Sequence, residues 1–189
     1  MTTCNEIVTL ALRMANVVPI RAVPTASEGE MGLQVLQGMF DQWVWSGMFG
    51  RLTDVDKSAS YTPTETGERI RISSGSVTLP DTVSRDGETL PPYDLSLIEV
   101  VDTANETRTV NLYDATVGAW VPINALSLTD ECPLANRGQN GLASCLAVAW
   151  AETFGVELTA GIARNAANFR MALAARHGSQ LARTPVEYF

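Results

Sequence analysis

The side chains that could perform acid–base or nucleophilic chemistry are few in this 189-residue chain. His177 is the only histidine, so a Ser–His–acid or Cys–His site would have to be built on it. It precedes Gly178 near the predicted end of a helix, where the helix dipole stabilises a positively charged imidazolium. The sequence holds no Gly-x-Ser-x-Gly elbow, phosphate-binding glycine loop or His-Glu-x-x-His helix. We therefore predict no enzymatic activity and no catalytic residues.

Side chains that bind metals are equally sparse. The chain has three cysteines, Cys4, Cys132 and Cys145. Their odd number and wide spacing fit neither a disulfide framework nor a zinc site, so we expect free thiols in a reducing compartment. The acidic pairs Asp54/Asp56 and Asp130/Glu131 could hold a hard cation, but neither has the run of oxygen ligands of a calcium loop. We interpret them as solvated turn residues and predict no metal and no cofactor.

Composition and charge exclude several classes of protein. Apolar residues make up 46% of the chain and charged residues 18%, which is typical of a folded globular protein. The net charge of −8 argues against broad capture of nucleic acid, which needs a basic face. The polar N-terminus, with Arg13 in its first apolar stripe, is unlike a secretory signal, and the apolar run 142–151 is too short to cross a bilayer. The expectation is a soluble intracellular protein.

The first fifty residues predict a helical hairpin. Thr3 and Glu6 form a capping box, and apolar residues then recur at helical spacing, which predicts a helix over about 4–15. After a loop bracketed by prolines, a second box at Ser27–Glu30 predicts a helix over about 28–46.

From residue 51 to 133 the apolar pattern changes to a period of two. Arg69-Ile70-Arg71-Ile72 places both isoleucines on one face, as in a half-buried strand. The candidate strands are 69–72, 76–79, 97–101, 107–113 and 119–123. Thr103–Glu106 fits a hairpin tip between two of them. These signals predict a small antiparallel sheet or barrel.

Helical spacing returns from Leu142 to Phe154 and from Ile162 to Leu173, with Gly155 and Gly178 as helix stops. Many alanines in this part permit close helix approach. The fold class predicted is α+β: a four-helix bundle-like domain of residues 1–50 and 134–178, an inserted small antiparallel β domain at 51–133, and an extended C-terminal arm at 179–189.

Charge is distributed unevenly along the chain. Up to Glu157 there are 20 acids and nine bases, net −11, whereas from Leu158 onward four arginines face one acid, net +3. The arginines of the last helix either complement the helix dipole, stay solvated or dock onto an acidic neighbour. The arm ends in Val186-Glu187-Tyr188-Phe189, whose aromatic rings either anchor on a partner or fold back on the parent domain.

Trp43 and Trp45 are two residues apart on the second predicted helix, so they cannot point the same way. One is expected in the core and the other at a contact. Trp45 is the candidate for a subunit interface, with local burial as the alternative.

This arrangement resembles the head-to-tail adaptor proteins (connector, head-completion or tail-accessory proteins) of tailed phages and gene transfer agents. The resemblance covers nearly all of the chain and rests mainly on Glu6–Met14, Glu30–Gly47 and the helix with its arm from Ala160 to Phe189. It implies a non-enzymatic protein of the virion neck, made in the host cytoplasm, that assembles as a ring of typically twelve copies beneath the portal. The implied partners are the portal protein, a tail or terminator component and further copies of the chain, with no membrane involved. DNA would pass through the ring without sequence-specific binding.

The resemblance places the portal-contacting element at the C-terminal arm, to which we add the arginines of the last helix. The candidate portal-contacting residues are Arg164, Arg170, Arg176, Arg183, Val186, Tyr188 and Phe189. An acidic chain with a single lysine, Lys57, suits a channel wall that repels phosphate, because DNA then slides rather than sticks.

Two other classes of function compete with this interpretation. The strand-rich insertion could bind a small ligand or carbohydrate on stacking platforms, with Tyr93, Tyr113 and Trp120 as the candidates. A hydrolase would require His177 beside an acid and a nucleophile.

Overall fold

A computed structural model describes residues 2–85 and 87–181, with the backbone alone at residues 85 and 176–181. The chain divides into two compact units. The first runs up to Trp45 and then from Asn124 to Leu173, and the second contains Ser46–Ile123 and the described residues after Leu173. The chain therefore leaves the first unit after Trp45, returns to it at Asn124 and leaves it again within its last helix.

Helices build the first unit. They are α1 (Cys4–Met14), α2 (Ala26–Trp45), α3 (Gln139–Phe154) and α4 (Ala160–Leu181), with a short 3₁₀ turn at Ala135–Arg137 before α3. α4 belongs to this unit up to Leu173. α1 begins at the predicted capping box: the amide of Thr3 donates to Glu6 Oε2 at 2.9 Å, and the amide of Glu6 donates to Thr3 Oγ1 at 3.3 Å. These two bonds satisfy amides that a helix start leaves unpaired.

α2 starts two residues before the predicted position. Its reciprocal cap uses Thr25 and Glu28 rather than Ser27 and Glu30: the amide of Thr25 donates to Glu28 Oε2 at 2.7 Å, and the amide of Glu28 donates to Thr25 Oγ1 at 3.3 Å. Both pairs fit the sequence pattern of a capping box, so the pattern alone does not select between them.

α1, α2 and α3 pack around a common core. Its largest fully buried side chains include Ile7, Leu12, Leu36, Phe40 and Leu142. α1 and α2 approach so closely that a Cβ at Gly32 would overlap the side chain of buried Val8. Glycine at this position is what permits that approach.

The second unit is built on a five-stranded mixed sheet. Its strands, in spatial order, are β1 (Thr53–Lys57), β2 (Glu68–Ile72), β5 (Leu97–Asp102), β6 (Thr107–Asp114) and β7 (Ala119–Pro122). The pairs β1–β2 and β2–β5 are parallel, and the pairs β5–β6 and β6–β7 are antiparallel. A separate antiparallel pair, β3 (Val83–Arg85) with β4 (Glu88–Leu90), lies in the connection between β2 and β5.

The β5–β6 hairpin confirms the turn predicted at Thr103–Glu106. Val101 pairs with Arg108 and Asp102 pairs with Thr107 on either side of it. Asp102 holds the turn, because its carboxylate accepts hydrogen bonds from the amides of Ala104 and Asn105 at 2.9 and 3.1 Å.

The prediction of a four-helix bundle with a small antiparallel insertion is wrong. The chain is α+β but rich in strands, with a mixed five-stranded sheet and a two-stranded sheet. An apolar period of two is the same in parallel and antiparallel strands, so it does not reveal the pairing. The predicted strand at 76–79 is not one, and only Val77 forms a bridge, to Tyr61.

α4 also differs from the prediction. It does not end at Gly178 but continues to Leu181, so the first three residues of the predicted arm are helical. Among residues 160–175 of α4, whose side chains the structure describes, only Ala166 and Leu173 are fully buried, which is too narrow a face for a member of a four-helix core. The rest of the predicted arm, residues 182–189, lies outside the described residues.

Candidate interaction surface

α4 is seated on α3 by a narrow seam within the first unit. The ring of Phe169 lies over Gly141, where an added Cβ would come within 2.5 Å of Phe169 Cδ2. Cys145 donates its thiol hydrogen to the carbonyl of Ala166 at 3.4 Å. Asn165 Nδ2 donates to Ser144 Oγ at 3.0 Å. The seam thus consists of small residues on α3 facing one row of α4 residues.

The side of α4 that points away from this seam is exposed. We call it the outer face of α4 and define it as Arg164, Ala167 and Met171, which are spaced three and four residues apart. Met171 is 62% exposed, and Arg164 is exposed as well. Residues 160–181 contain no acidic side chain. The outer face therefore combines positive charge with an uncovered thioether.

A groove of about 110 Å³ lies between α4, α3 and the C-terminal half of α2. Its lining includes Gln42, Trp43, Glu152 and Arg170, so one acid and one base face the same space. Cys145 also lines it, and burial raises the pKa of this thiol to about 12, although the charge of Arg170 acts in the opposite direction. A thiol held protonated in this way is a weak nucleophile.

A second exposed apolar surface lies in the loop between α1 and α2. Ile20 and Val23 are each 82% exposed, which is extreme for large aliphatic side chains. The loop is nonetheless held in place: the amide of Ala22 donates to the carbonyl of Pro19 at 2.9 Å. Arg13 Nη2 donates to the carbonyl of Ala22 at 3.0 Å. We call Ile20 and Val23, with Glu30 of the following helix, the loop knob.

The portal-contacting residues predicted from the sequence fall into three groups. Arg164 and Arg170 lie on α4 and are exposed. The backbone of Arg176 is helical, whereas its side chain lies outside the described part of the structure. The other predicted residues, Arg183, Val186, Tyr188 and Phe189, lie outside the described residues.

The two tryptophans of α2 separate as the helical spacing requires. Trp43 is 4% exposed and packs edge-on against Phe40, with ring centroids 5.7 Å apart. Trp45 is 69% exposed, so local burial does not describe it. Its assignment to a subunit interface stays a prediction.

The aromatic residues of the competing ligand-binding interpretation differ in exposure, because Tyr93 and Trp120 are half-buried and Tyr113 is buried. Tyr113 and Trp120 pack edge to face with centroids 5.3 Å apart, and Tyr113 is buried. The indole Nε1 of Trp120 donates to the carbonyl of Pro80 at 2.8 Å. Tyr113 is therefore closed to a ligand, and the pairing uses part of the surface of Trp120, which is half-buried.

Charged side chains on the sheet form a cluster that sequence reasoning did not single out. Glu99 on β5 is 2% exposed and accepts hydrogen bonds from Arg69 Nε at 2.8 Å and from Arg108 Nε at 2.7 Å. Asp54 on β1 lies 3.5 Å from Arg69 and remains exposed, so this acid is a solvated strand residue that also forms an ion pair, not a turn residue. The buried carboxylate of Glu99 is paired with two guanidinium groups from the neighbouring strands, so we assign the cluster a structural role in the sheet.

The remaining candidates for chemistry also have structural roles. Asp130 accepts a hydrogen bond from the amide of Ser127 at 2.7 Å, which lowers the pKa of its carboxyl group. The cysteines are free thiols and are buried. The neighbouring thiol of Cys4 and burial together raise the pKa of Cys132. In the described ranges, no three metal-binding side chains gather into a group that could hold an ion.

No family model matches the chain, and no curated protein matches its sequence. Among the helices of residues 2–85 and 87–181, none combines the length and the apolar character that crossing a bilayer demands.

Sequence reasoning missed the loop knob. The signal that could have found it is the sequence Pro19-Ile20-Arg21-Ala22-Val23-Pro24, where two large aliphatic residues stand between prolines. Prolines prevent this segment from continuing a helix, and no apolar period assigns its side chains to a buried face.

Proposed function

We propose that this protein is a head-to-tail adaptor of a tailed phage or phage-like particle. It would assemble as a ring under the portal, extend the DNA channel and provide the platform to which the tail attaches. The observation that carries the proposal is α4: a helix of 22 residues without a single acid, on a chain of net charge −8, that leaves its outer face exposed. A basic helix held by a narrow seam is suited to binding acidic protein surfaces.

The charge of the rest of the chain supports a channel role. Up to Glu157 the chain has net charge −11, and Lys57 is its only lysine. A ring of such subunits repels the phosphate backbone, so DNA can move through it without being held. α4 concentrates the arginines of the C-terminal part, which leaves the other surfaces acidic.

Portal contact belongs, on this proposal, to the end of α4 and the residues beyond it. That segment carries Arg176, Arg183, Val186, Tyr188 and Phe189, which combine positive charge with apolar and aromatic anchors. The strand-rich second unit is left for a tail or terminator component.

Mixing the protein with its purified portal tests the proposal. We expect a complex of ring size by light scattering and electron microscopy, with a ring of density added to one end of the portal. A chain lacking residues 182–189 should keep its circular dichroism spectrum and lose portal attachment, because the segment contributes contact rather than core. A variant with the same eight residues in scrambled order is the matched control for composition and charge.

Two results would count against the proposal. One is normal attachment by the truncated chain, which would remove the portal role of the C-terminal segment. The other is a particle that stays monomeric with every component of the capsid and the tail.

A further inference from the structure

We propose that the outer face of α4 binds the loop knob of a second copy of the chain. Adjacent subunits would thus join head to tail, each using two different surfaces. This inference rests on the proposed function, because it specifies the contact by which the ring forms.

Apolar surface is available on both sides of the contact. Ile20 and Val23 project from a loop that is fixed by the Pro19–Ala22 turn and by the guanidinium of Arg13. A loop fixed before binding loses little conformational freedom on docking. Met171 is the large exposed apolar side chain at the centre of the outer face, and a thioether adapts its shape to aliphatic partners.

Charge complementarity identifies the partner as another copy. Residues 160–175 carry Arg164 and Arg170 and no acid, whereas residues 15–31 carry Glu28 and Glu30 against one base, Arg21. Glu28 already accepts the hydrogen bonds that cap α2, so Glu30, which is exposed, is the acid available to a partner. The basic face and the acidic knob are therefore present on every subunit.

The two surfaces lie on different flanks of the first unit. Asn165 reaches Ser144, whose hydroxyl contacts Met14 Sδ at the end of α1, so the loop after α1 begins on this flank of α4. Arg170 instead faces the groove beside α2. Six residues correspond to a net angle of about 120° around an α-helix, so Asn165 and Met171, the centre of the outer face, lie on separate sides of α4. A contact between unlike surfaces on separate sides repeats from subunit to subunit and can close into a ring.

Charge reversal provides the first test. Glu30→Arg and Arg164→Glu should each weaken self-association about ten-fold, measured by sedimentation velocity of the full chain alone and with portal. The double variant should recover to within about three-fold of the unchanged protein, because the reversed pair attracts again. Val117→Ser, at an exposed aliphatic residue of the second unit, is the control for a change in surface polarity.

Cross-linking provides the second test. Val23→Cys and Met171→Cys are prepared as separate full-length variants and mixed with a short bismaleimide. We expect a covalent dimer in the mixture and little in either variant alone, since a head-to-tail contact never brings two copies of one residue together. The native cysteines are buried, so the unsubstituted chain mixed with the same bismaleimide should give no covalent dimer and serves as the baseline.

The outcomes separate this inference from the proposed function. If a portal complex of ring size forms and the reversed variants assemble like the unchanged chain, the inference is overturned and the proposed function stands. If the variants form rings but lose portal attachment, the outer face is a portal surface, and the inference is again overturned. If the chain neither self-associates nor binds portal, both fail.

Discussion

The close contact of Phe169 with Gly141, between α4 and α3, allows the effect of Gly141→Ala on stability to be predicted quantitatively. A Cβ at this position would lie 2.5 Å from Phe169 Cδ2, 2.7 Å from Cγ and 2.9 Å from Cβ. Carbon atoms in contact are normally about 3.5–4.0 Å apart, so atoms must move by roughly 1 Å. Rotation of the side chain about its Cα–Cβ bond can relieve only the first two overlaps, because the third is with Cβ itself. We therefore expect α4 to shift relative to α3.

The free energy of unfolding should fall accordingly. Inserting a methyl group into a filled space costs about 1–3 kcal/mol. Alanine in place of glycine inside a helix recovers about 0.5–1 kcal/mol. The net expectation for Gly141→Ala is a loss of about 1–2 kcal/mol. Gly38→Ala is the matched control, since a Cβ at exposed Gly38 on α2 meets nothing within 4 Å and should stabilise the protein slightly.

A double-mutant cycle identifies the cause. Phe169→Ala removes two of the three overlaps and leaves the 2.9 Å contact, which a shift of a few tenths of an ångström relieves. Because Phe169 is half-buried, its own loss should be about 2 kcal/mol, below the range for a fully buried ring. Gly141→Ala should then cost almost nothing in the Phe169→Ala background. Urea unfolding followed by tryptophan fluorescence measures all four proteins, and additivity within about 0.5 kcal/mol would refute the reasoning.

Three further predictions concern the charged and thiol groups. Glu99→Gln should lower the free energy of unfolding by about 2–3 kcal/mol in urea, since it breaks a buried ion pair whose arginines are partly solvated; an unchanged midpoint would contradict this. The thiols of Cys4, Cys132 and Cys145 should react with Ellman's reagent only after denaturation, because burial hides all three; rapid reaction of the native protein would contradict it. Hydrogen bonds from the α2 start lower the pKa of Glu28, so they stabilise the protein above the ordinary value near 4.5 and this stabilisation is lost as the pH falls through the folded pKa. Thermal melts across this range should show a smaller change for Glu28→Gln than for the unchanged chain, and equal changes would exclude this carboxyl as a cause.

Local signals in the sequence predicted the elements that depend on them. The capping box at Thr3 and Glu6 satisfies helix amides within four residues, and Gly155 takes the left-handed conformation (φ 69°) that ends α3. The turn at Thr103–Glu106 is likewise held by its neighbour Asp102. In each case the stabilising contacts are close in sequence, so the pattern and the structure coincide.

Elements that depend on distant contacts were not predictable in the same way. β1 has the sequence Thr-Asp-Val-Asp-Lys, which reads as a polar turn, yet it pairs in parallel with β2 as an edge strand. Arg69 on β2 neutralises Asp54 across that pair, and no local pattern encodes this contact. The outer face of α4 shows the same limit, since the alanines of a helix can face either a core or solvent.

The narrow seam links the stability of α4 to the proposed assembly. A helix that binds a neighbour must hold its side chains in one geometry, and Phe169 with Leu173 supplies much of the apolar contact that fixes α4. Displacing the helix by 1 Å at Gly141 therefore moves Arg164 and Met171 relative to any surface they bind. Because an interface is sensitive to such misplacement, Gly141→Ala should weaken ring formation by more than its effect on unfolding implies. Self-association measured at a temperature where both proteins are fully folded isolates that effect, and equal association of the two would show that the outer face takes no part in the contact.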